Sequence, residues 1–154
     1  MNSCLPFRWT KSIALGLILL AGSASEAFAA NLRIEAKLVW ATDEAKSPDP
    51  KHKLMDPATS ESLRKTFKWK NYFEVNRVVK EVPARSSNKF ELSKRCTIEI
   101  TELEGPKIAV KLIGEGKELH KTTLTISKGK SVVYSGDDKN QNAWFVIITE
   151  LEDK

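Results

Sequence analysis

Cysteine and histidine are scarce in this chain of 154 residues, which has two of each. Cys4 precedes an apolar amino-terminal segment and Cys96 stands alone in the rest of the chain, so no internal disulfide is predicted. Zinc-binding Cys and His residues come in closely spaced pairs, and His52, His120 and Cys96 have no such spacing. The sequence therefore predicts no metal site and no cofactor, and stability has to come from an apolar core.

No apolar run is long enough to span a membrane. The run Ile13–Ala21 reaches only about 14 Å as a helix, whereas a bilayer crossing takes roughly 20 apolar residues. It follows the basic residues Arg8 and Lys11 and precedes Ala27-Phe28-Ala29, an A-x-A cleavage site. This order is typical of a signal peptide over residues 1–29. The protein is therefore predicted to be periplasmic or secreted, with no membrane span.

Charge of one sign is not concentrated anywhere in the chain. The 25 basic and 20 acidic side chains, with a net charge of +5, are interleaved, as in Arg33-Ile34-Glu35-Ala36-Lys37. Interspersed charge is typical of a solvated surface, whereas a nucleic-acid-binding protein gathers its basic residues into a stripe. The pattern therefore predicts no nucleic-acid partner.

Alternation of apolar and polar residues dominates residues 30–154, which are predicted to form a single domain. Turns that contain glycine separate the alternating segments, and this spacing is typical of an antiparallel sheet protein. The sequence predicts a mostly β fold, an antiparallel β-sandwich of about seven or eight strands with one short helix. The predicted strands are Asn31–Trp40, Thr66–Lys80, Lys89–Leu92, Arg95–Leu103, Lys107–Ile113, Glu118–Ile126, Ser131–Tyr134 and Ala143–Leu151.

Residues 42–66 interrupt this alternation as an insert of loop and helix. Thr42–Lys53 contains two prolines and many charges, so it is predicted to be an exposed loop. Asp56-Pro57 then resembles a helix start, because Asp caps helices well and Pro is tolerated at their first position. A short helix over Pro57–Lys65 is predicted, which tertiary packing has to hold in place.

The last strand is apolar on both faces. Trp144, Val146 and Ile148 share one face, and Phe145 and Ile147 share the other. A strand of this kind needs a second cover beyond its own sandwich. The short helix, a long loop or a partner protein are the three candidates for that cover.

Hydrolase signatures are missing from the sequence. There is no G-x-S-x-G motif, and Cys96 is in phase with Ile98 and Ile100, which predicts a small core residue. Asp138–Asn142 resembles the start of a calcium loop but lacks the later glycine and glutamate. No catalytic residue is predicted, and a small secreted hydrolase or a hydrolase inhibitor remains one alternative function.

The candidate binding residues are two aromatic residues, Trp144 and Tyr72, and two amides, Asn140 and Asn142. Tyr72 falls on the polar face of its predicted strand. Exposed aromatic rings anchor protein partners or stack on sugars. The leading hypothesis is a non-catalytic binding or assembly domain with a protein partner in the cell envelope, contacted through an edge strand or the apolar face near Trp144. The alternative is a carbohydrate-binding module whose ligand is a glycan.

Two stretches carry a resemblance to known proteins. Phe67–Phe73 (FKWKNYF) and Gly136–Val146 (GDDKNQNAWFV) resemble segments of small exported bacterial β-rich proteins of unassigned function. The resemblance covers residues 60–150 and implies a bacterial envelope setting. It supplies neither an activity nor a catalytic residue.

Overall fold

The structure, a computed structural model, describes residues 31–152, and the predicted signal peptide lies outside them. Two antiparallel sheets and one short helix make up this part of the chain, which confirms the predicted β-sandwich. The additional ninth strand is a two-residue segment that begins at the last residue of the predicted loop. In chain order the elements are β1 (Leu32–Thr42), β2 (Lys53–Leu54), α1 (Pro57–Thr66), β3 (Asn71–Val82), β4 (Ser87–Ser93), β5 (Cys96–Glu104), β6 (Lys107–Gly114), β7 (Lys117–Thr125), β8 (Ser131–Asp137), a 3-10 turn (Lys139–Gln141) and β9 (Ala143–Glu150).

The two sheets enclose the main core. The first sheet has the strand order β2-β3-β1-β9-β8 and the second has the order β4-β5-β6-β7. Alternate side chains of each strand point inward, because successive residues of a strand face opposite sides of its sheet. Ile34, Phe90, Ile98, Ile108 and Ile148 are fully buried between the sheets.

A second core covers the outer face of the first sheet. The ring of Phe145 in β9 lies 4.6 Å from that of Phe67 and 5.7 Å from that of Trp69, measured between centroids. Both faces of β9 are therefore buried, and the second cover comes from α1 and the residues that follow it. The buried residues of the second core are Val39, Ala41, Met55, Leu63, Trp69, Tyr72, Ala143, Phe145 and Ile147.

Helix α1 begins where the sequence predicts it. The Asp56 carboxylate accepts a hydrogen bond from the backbone N–H of Thr59 at 2.8 Å, and Pro57 occupies the first turn. That hydrogen bond stabilises the charged carboxylate and lowers the pKa of Asp56. At the other end, the N–H of Phe67 donates to the carbonyl of Leu63 at 2.8 Å, so the helix ends at Thr66.

The predicted phase of β3 is wrong over part of its length. The register between β1 and β3 shifts once, and Val75 is the extra residue of a β-bulge. An extra residue reverses which side chains face the core beyond it. Val79, which follows the bulge and is predicted to face inward, is 42 % exposed. Tyr72 precedes the bulge and lies on the predicted outer face, where the second core buries it fully.

Candidate functional site

The edges of the two sheets differ in how they are protected. Edge strands present backbone N–H and C=O groups to which another chain can pair. Beside β4, the amide of Asn88 donates to the carbonyl of Glu81 at 2.9 Å and the ammonium of Lys80 donates to the carbonyl of Lys89 at 2.6 Å. These side-chain bonds join the β4 edge to β3, so that side of the sandwich is closed.

Strand β8, the last strand in the order of the first sheet, is an unprotected edge. Natural edge strands are commonly blocked by charged side chains, and β7 on the same side carries Lys117, Glu118 and Lys121. Residues 131–136 of β8 contain no charged residue and no proline. Val133 is 37 % exposed at the middle of this segment.

The register shows which backbone groups of β8 face outward. The N–H of Asp138 donates to the carbonyl of its partner Asn142 at 3.0 Å, so even-numbered residues of β8 bond toward β9. In an antiparallel pair the alternate residues direct both backbone groups away from the partner strand. Ser131, Val133 and Ser135 therefore point N–H and C=O toward the open side, and these three residues are called the β8 edge below.

A cavity of about 440 Å³ opens beside the carboxyl end of β8, between the two sheets. Its rim carries the ion pair of Arg95 with Glu115, together with Asp137 and Asp138. An apolar recess with a few polar groups at its mouth is the usual form of a binding pocket. The apolar wall of this end pocket consists of Leu38, Cys96, Leu112, Leu119 and Trp144.

Trp144 is half-buried and forms part of the end-pocket wall. It lies opposite Gly136 in the register of β8 and β9. A Cβ atom added to Gly136 would lie 2.1 Å from Cζ2 of the indole, so the ring crosses directly over the glycine backbone. The ring of Trp144 is therefore one wall of a recess rather than an open platform.

The structure places Tyr72 in a different core from Trp144, the other predicted aromatic binding residue. Tyr72 is fully buried in the second core, and its hydroxyl has no hydrogen-bond partner among residues 31–152. Burial also raises the pKa of Tyr72. Tyr72 is therefore buried rather than exposed as predicted, because α1 and the residues after it cover the outer face of the first sheet on which it lies.

Asn140 and Asn142 lie in the turn between β8 and β9. Asn140 is exposed and has a φ of 72°, a conformation that Asn tolerates better than most residues. The indole N–H of Trp69 donates to the carbonyl of Gln141 at 2.7 Å, which ties this turn to the second core. Both amides thus belong to a turn held in place beside the end of β8.

Cys96 is a free, half-buried thiol in the wall of the end pocket. It packs against the main core, and burial raises its pKa. Nucleophilic cysteines have a lowered pKa, because the thiolate is the reactive form. The environment of Cys96 therefore disfavours a catalytic role.

The loop before β2 contains a set of residues that sequence reasoning missed. Ser47 Oγ lies 2.7 Å from Nδ1 of His52, and Asp49 Oδ2 lies 3.7 Å from Nε2 of the same ring. In a Ser-His-Asp triad the two nitrogens have the opposite roles, and Ser47 Oγ also accepts from the N–H of Asp49 at 3.3 Å. The arrangement orders the loop and does not activate Ser47. The close spacing of Ser47, Asp49 and His52 in the Pro-containing loop is the sequence signal that could have indicated this set.

A wider cleft of about 780 Å³ lies beside β2 and β3. In this cleft, the guanidinium of Arg77 forms ion pairs with Glu35 at 3.3 Å and with Glu74 at 2.8 Å. Across residues 31–152, no group of three or more His, Cys, Asp or Glu side chains is placed to hold a metal ion. The guanidinium of this cleft is therefore held by the carboxylates of Glu35 and Glu74.

Comparison with protein-family models, with curated proteins and with solved structures finds no match to this chain. Within the described range, no helix has the length and apolar character needed to cross a membrane. The fold and the β8 edge thus have to be interpreted from their own geometry.

Proposed function

We propose that the protein is a non-catalytic binding domain that pairs with an extended strand of a protein partner along the β8 edge. The observation that carries this proposal is the free, uncharged edge of residues 131–136. Strand addition to an open sheet edge is a common mode of protein recognition, in which backbone hydrogen bonds supply affinity. Of the two faces of β9, one is covered by α1 and the other, with Trp144, packs against the main core beside the end pocket, which leaves the edge as the contact surface.

The end pocket supplies a source of specificity beside this edge. Side chains of an added strand alternate between the two faces of the sheet. The apolar wall of the pocket, with Trp144 and Leu119, fits an apolar side chain, and Asp137 at the rim favours a basic neighbour. A partner segment with an apolar residue next to Lys or Arg therefore matches this surface.

The predicted signal peptide supports an envelope setting for this binding, either periplasmic or secreted. The carbohydrate-binding alternative has less support, since Trp144 is half-buried over Gly136 and Tyr72 is in the core. The hydrolase alternative also has less support, because Cys96 is not activated and Ser47 contacts the wrong ring nitrogen. We therefore favour protein binding.

A peptide selection with two matched variants tests the proposal. Random peptides displayed on phage are selected on the wild-type protein and then measured against Val133→Lys and Val79→Lys. The two valines lie in the same sheet and are 37 % and 42 % exposed, but only Val133 belongs to the β8 edge. We expect Val133→Lys to weaken binding at least about tenfold, which corresponds to roughly 1.4 kcal/mol, and Val79→Lys to leave it unchanged.

Hydrogen exchange locates the contact within the same experiment. The amides of Ser131, Val133 and Ser135 point to solvent in the free protein, so they should exchange rapidly. A selected peptide should protect these three amides and leave their even-numbered neighbours, already bonded to β9, unchanged. Equal peptide binding to both lysine variants, or protection confined to another strand, would contradict the proposal.

A further inference from the structure

The β8 edge is complementary to itself. Residues 131–135 read Ser-Val-Val-Tyr-Ser, so serines lie two positions to either side of Val133 and apolar residues lie one position to either side. We infer that the partner of the β8 edge is β8 of a second copy of this chain, paired antiparallel about a two-fold axis through Val133. This inference rests on the proposed function, because it names the occupant of the same edge.

The outward backbone groups match in this arrangement. Ser131, Val133 and Ser135 direct their N–H and C=O groups to the open side. With Val133 on the axis, Val133 pairs with Val133 of the second copy and Ser131 pairs with Ser135 of that copy. Each of the three residues brings one donor and one acceptor, so the symmetric pair closes about six backbone hydrogen bonds.

The side chains match on both faces of the joined sheet. On the outer face, the exposed Val133 side chains meet across the axis and are flanked by serine–serine pairs. On the inner face, Val132 lies opposite Tyr134 of the second copy, and Tyr134 already packs against the main core. Pairs of an aromatic and a β-branched residue are favourable across strands.

Charge disfavours the register that is shifted to put Ser135 on the axis. Pairing shifted so that Ser135 lies on the axis would place Val133 opposite Asp137 of the second copy, and a carboxylate would then lie against an apolar side chain. With Val133 on the axis, the exposed Lys130 of each copy lies near the exposed Asp137 of the other. Each end of the contact thus carries one basic and one acidic side chain at neighbouring positions, and the contact is the same patch on each copy, as a two-fold dimer requires.

Disulfide trapping tests the pairing and its register. Cysteine is introduced singly at exposed β8 positions in a background where Cys4 and Cys96 are both alanine, and oxidation is driven with copper–phenanthroline. Paired residues on the axis have Cα atoms about 5.5 Å apart, within the range that a disulfide spans. Val133→Cys should therefore cross-link with itself, whereas the equally exposed Val79→Cys should not.

A mixture of two cysteine variants tests the register directly. Ser131→Cys alone places its two thiols four residues apart along the strands, about 14 Å at 3.4 Å per residue, which is too far to bridge. Mixed with Ser135→Cys on a chain of different mass, it should form a hetero-disulfide. Cross-linking of Ser131→Cys with itself at the same rate, or no more cross-linking of Val133→Cys than of Val79→Cys, would overturn the inference.

Sedimentation velocity over a concentration series measures the association itself. The wild-type protein should show a monomer–dimer equilibrium, and Val133→Lys should raise its dissociation constant at least about tenfold, because like charges would meet on the axis. A wild-type protein that stays monomeric throughout overturns the dimer. If selected peptides still bind the β8 edge, the proposed function survives that result; if Val133→Lys alters neither peptide binding nor association, both fail.

Discussion

Replacing Gly136 by alanine tests how Trp144 is held over β8. The new Cβ would lie 2.1 Å from Cζ2 and 2.4 Å from Cε2 of the indole, so the ring has to move or the strand has to bend. Overpacking of this kind lowers the free energy of unfolding by about 1–3 kcal/mol. Alanine also restricts the unfolded chain, which raises the free energy of unfolding by about 0.4–1 kcal/mol and offsets part of that loss. We expect Gly136→Ala to lower the free energy of unfolding by about 1–2 kcal/mol, or about 4–8 °C in Tm for a domain of this size.

Gly114 provides a matched control for this substitution. A Cβ there would lie 2.4 Å from Cδ1 of Leu119, a nominal overlap close to that at Gly136. Leu119 is 56 % exposed and its side-chain end can rotate away, so Gly114→Ala should cost almost nothing. Urea unfolding followed by circular dichroism at one pH compares the two variants directly.

A double-mutant cycle assigns the cost to the ring. Trp144→Leu removes the indole, so combining it with Gly136→Ala should relieve the overlap and give a coupling free energy of about 1 kcal/mol or more. The reasoning is refuted if Gly136→Ala costs no more than Gly114→Ala, or if the two changes in the cycle add within about 0.5 kcal/mol.

Three further substitutions and reactions follow from buried or capping groups. Tyr72→Phe should raise the free energy of unfolding by about 1 kcal/mol, because the buried hydroxyl has no hydrogen-bond partner among residues 31–152. Burial raises the pKa of Tyr72 above 10.0, so the contribution of its neutral form to stability is complete below that pH. Above pH 10.0 the wild-type protein loses this contribution, so its free energy of unfolding should fall more steeply with pH than that of Tyr72→Phe. Asp56→Ala should cost about 1 kcal/mol at pH 7, because α1 loses its cap, whereas Asp56→Asn keeps a capping oxygen. Since the Thr59 N–H lowers the pKa of Asp56, its contribution is present above the unfolded value of 3.8 and should vanish as acid titration passes the lower folded value. Iodoacetamide should label native Cys96 more slowly than the urea-unfolded protein, because burial raises the pKa of the thiol; equal rates would show an accessible thiolate.

The sequence by itself determines the elements whose signals are local. Asp56 and Pro57 start α1 because a cap bonds to the N–H three residues later, within one helical turn. The alternation in β5 and β6 predicts their bounds to within one residue, because a strand with one buried face repeats its pattern every second position. The apolar character of both faces of β9 also indicated a second cover, although it could not say which part of the chain supplies it.

Only the tertiary structure decides which faces and edges remain open. One extra residue at Val75 reverses the phase of β3 beyond it and leaves Val79 exposed, whereas α1 and the residues after it bury Tyr72 in the second core. Trp144 becomes a pocket wall because Gly136, eight positions earlier, leaves room for its ring across the strand pair. The β8 edge is free because strand order places it last in its sheet, and strand order depends on pairing between distant residues, which no local pattern records.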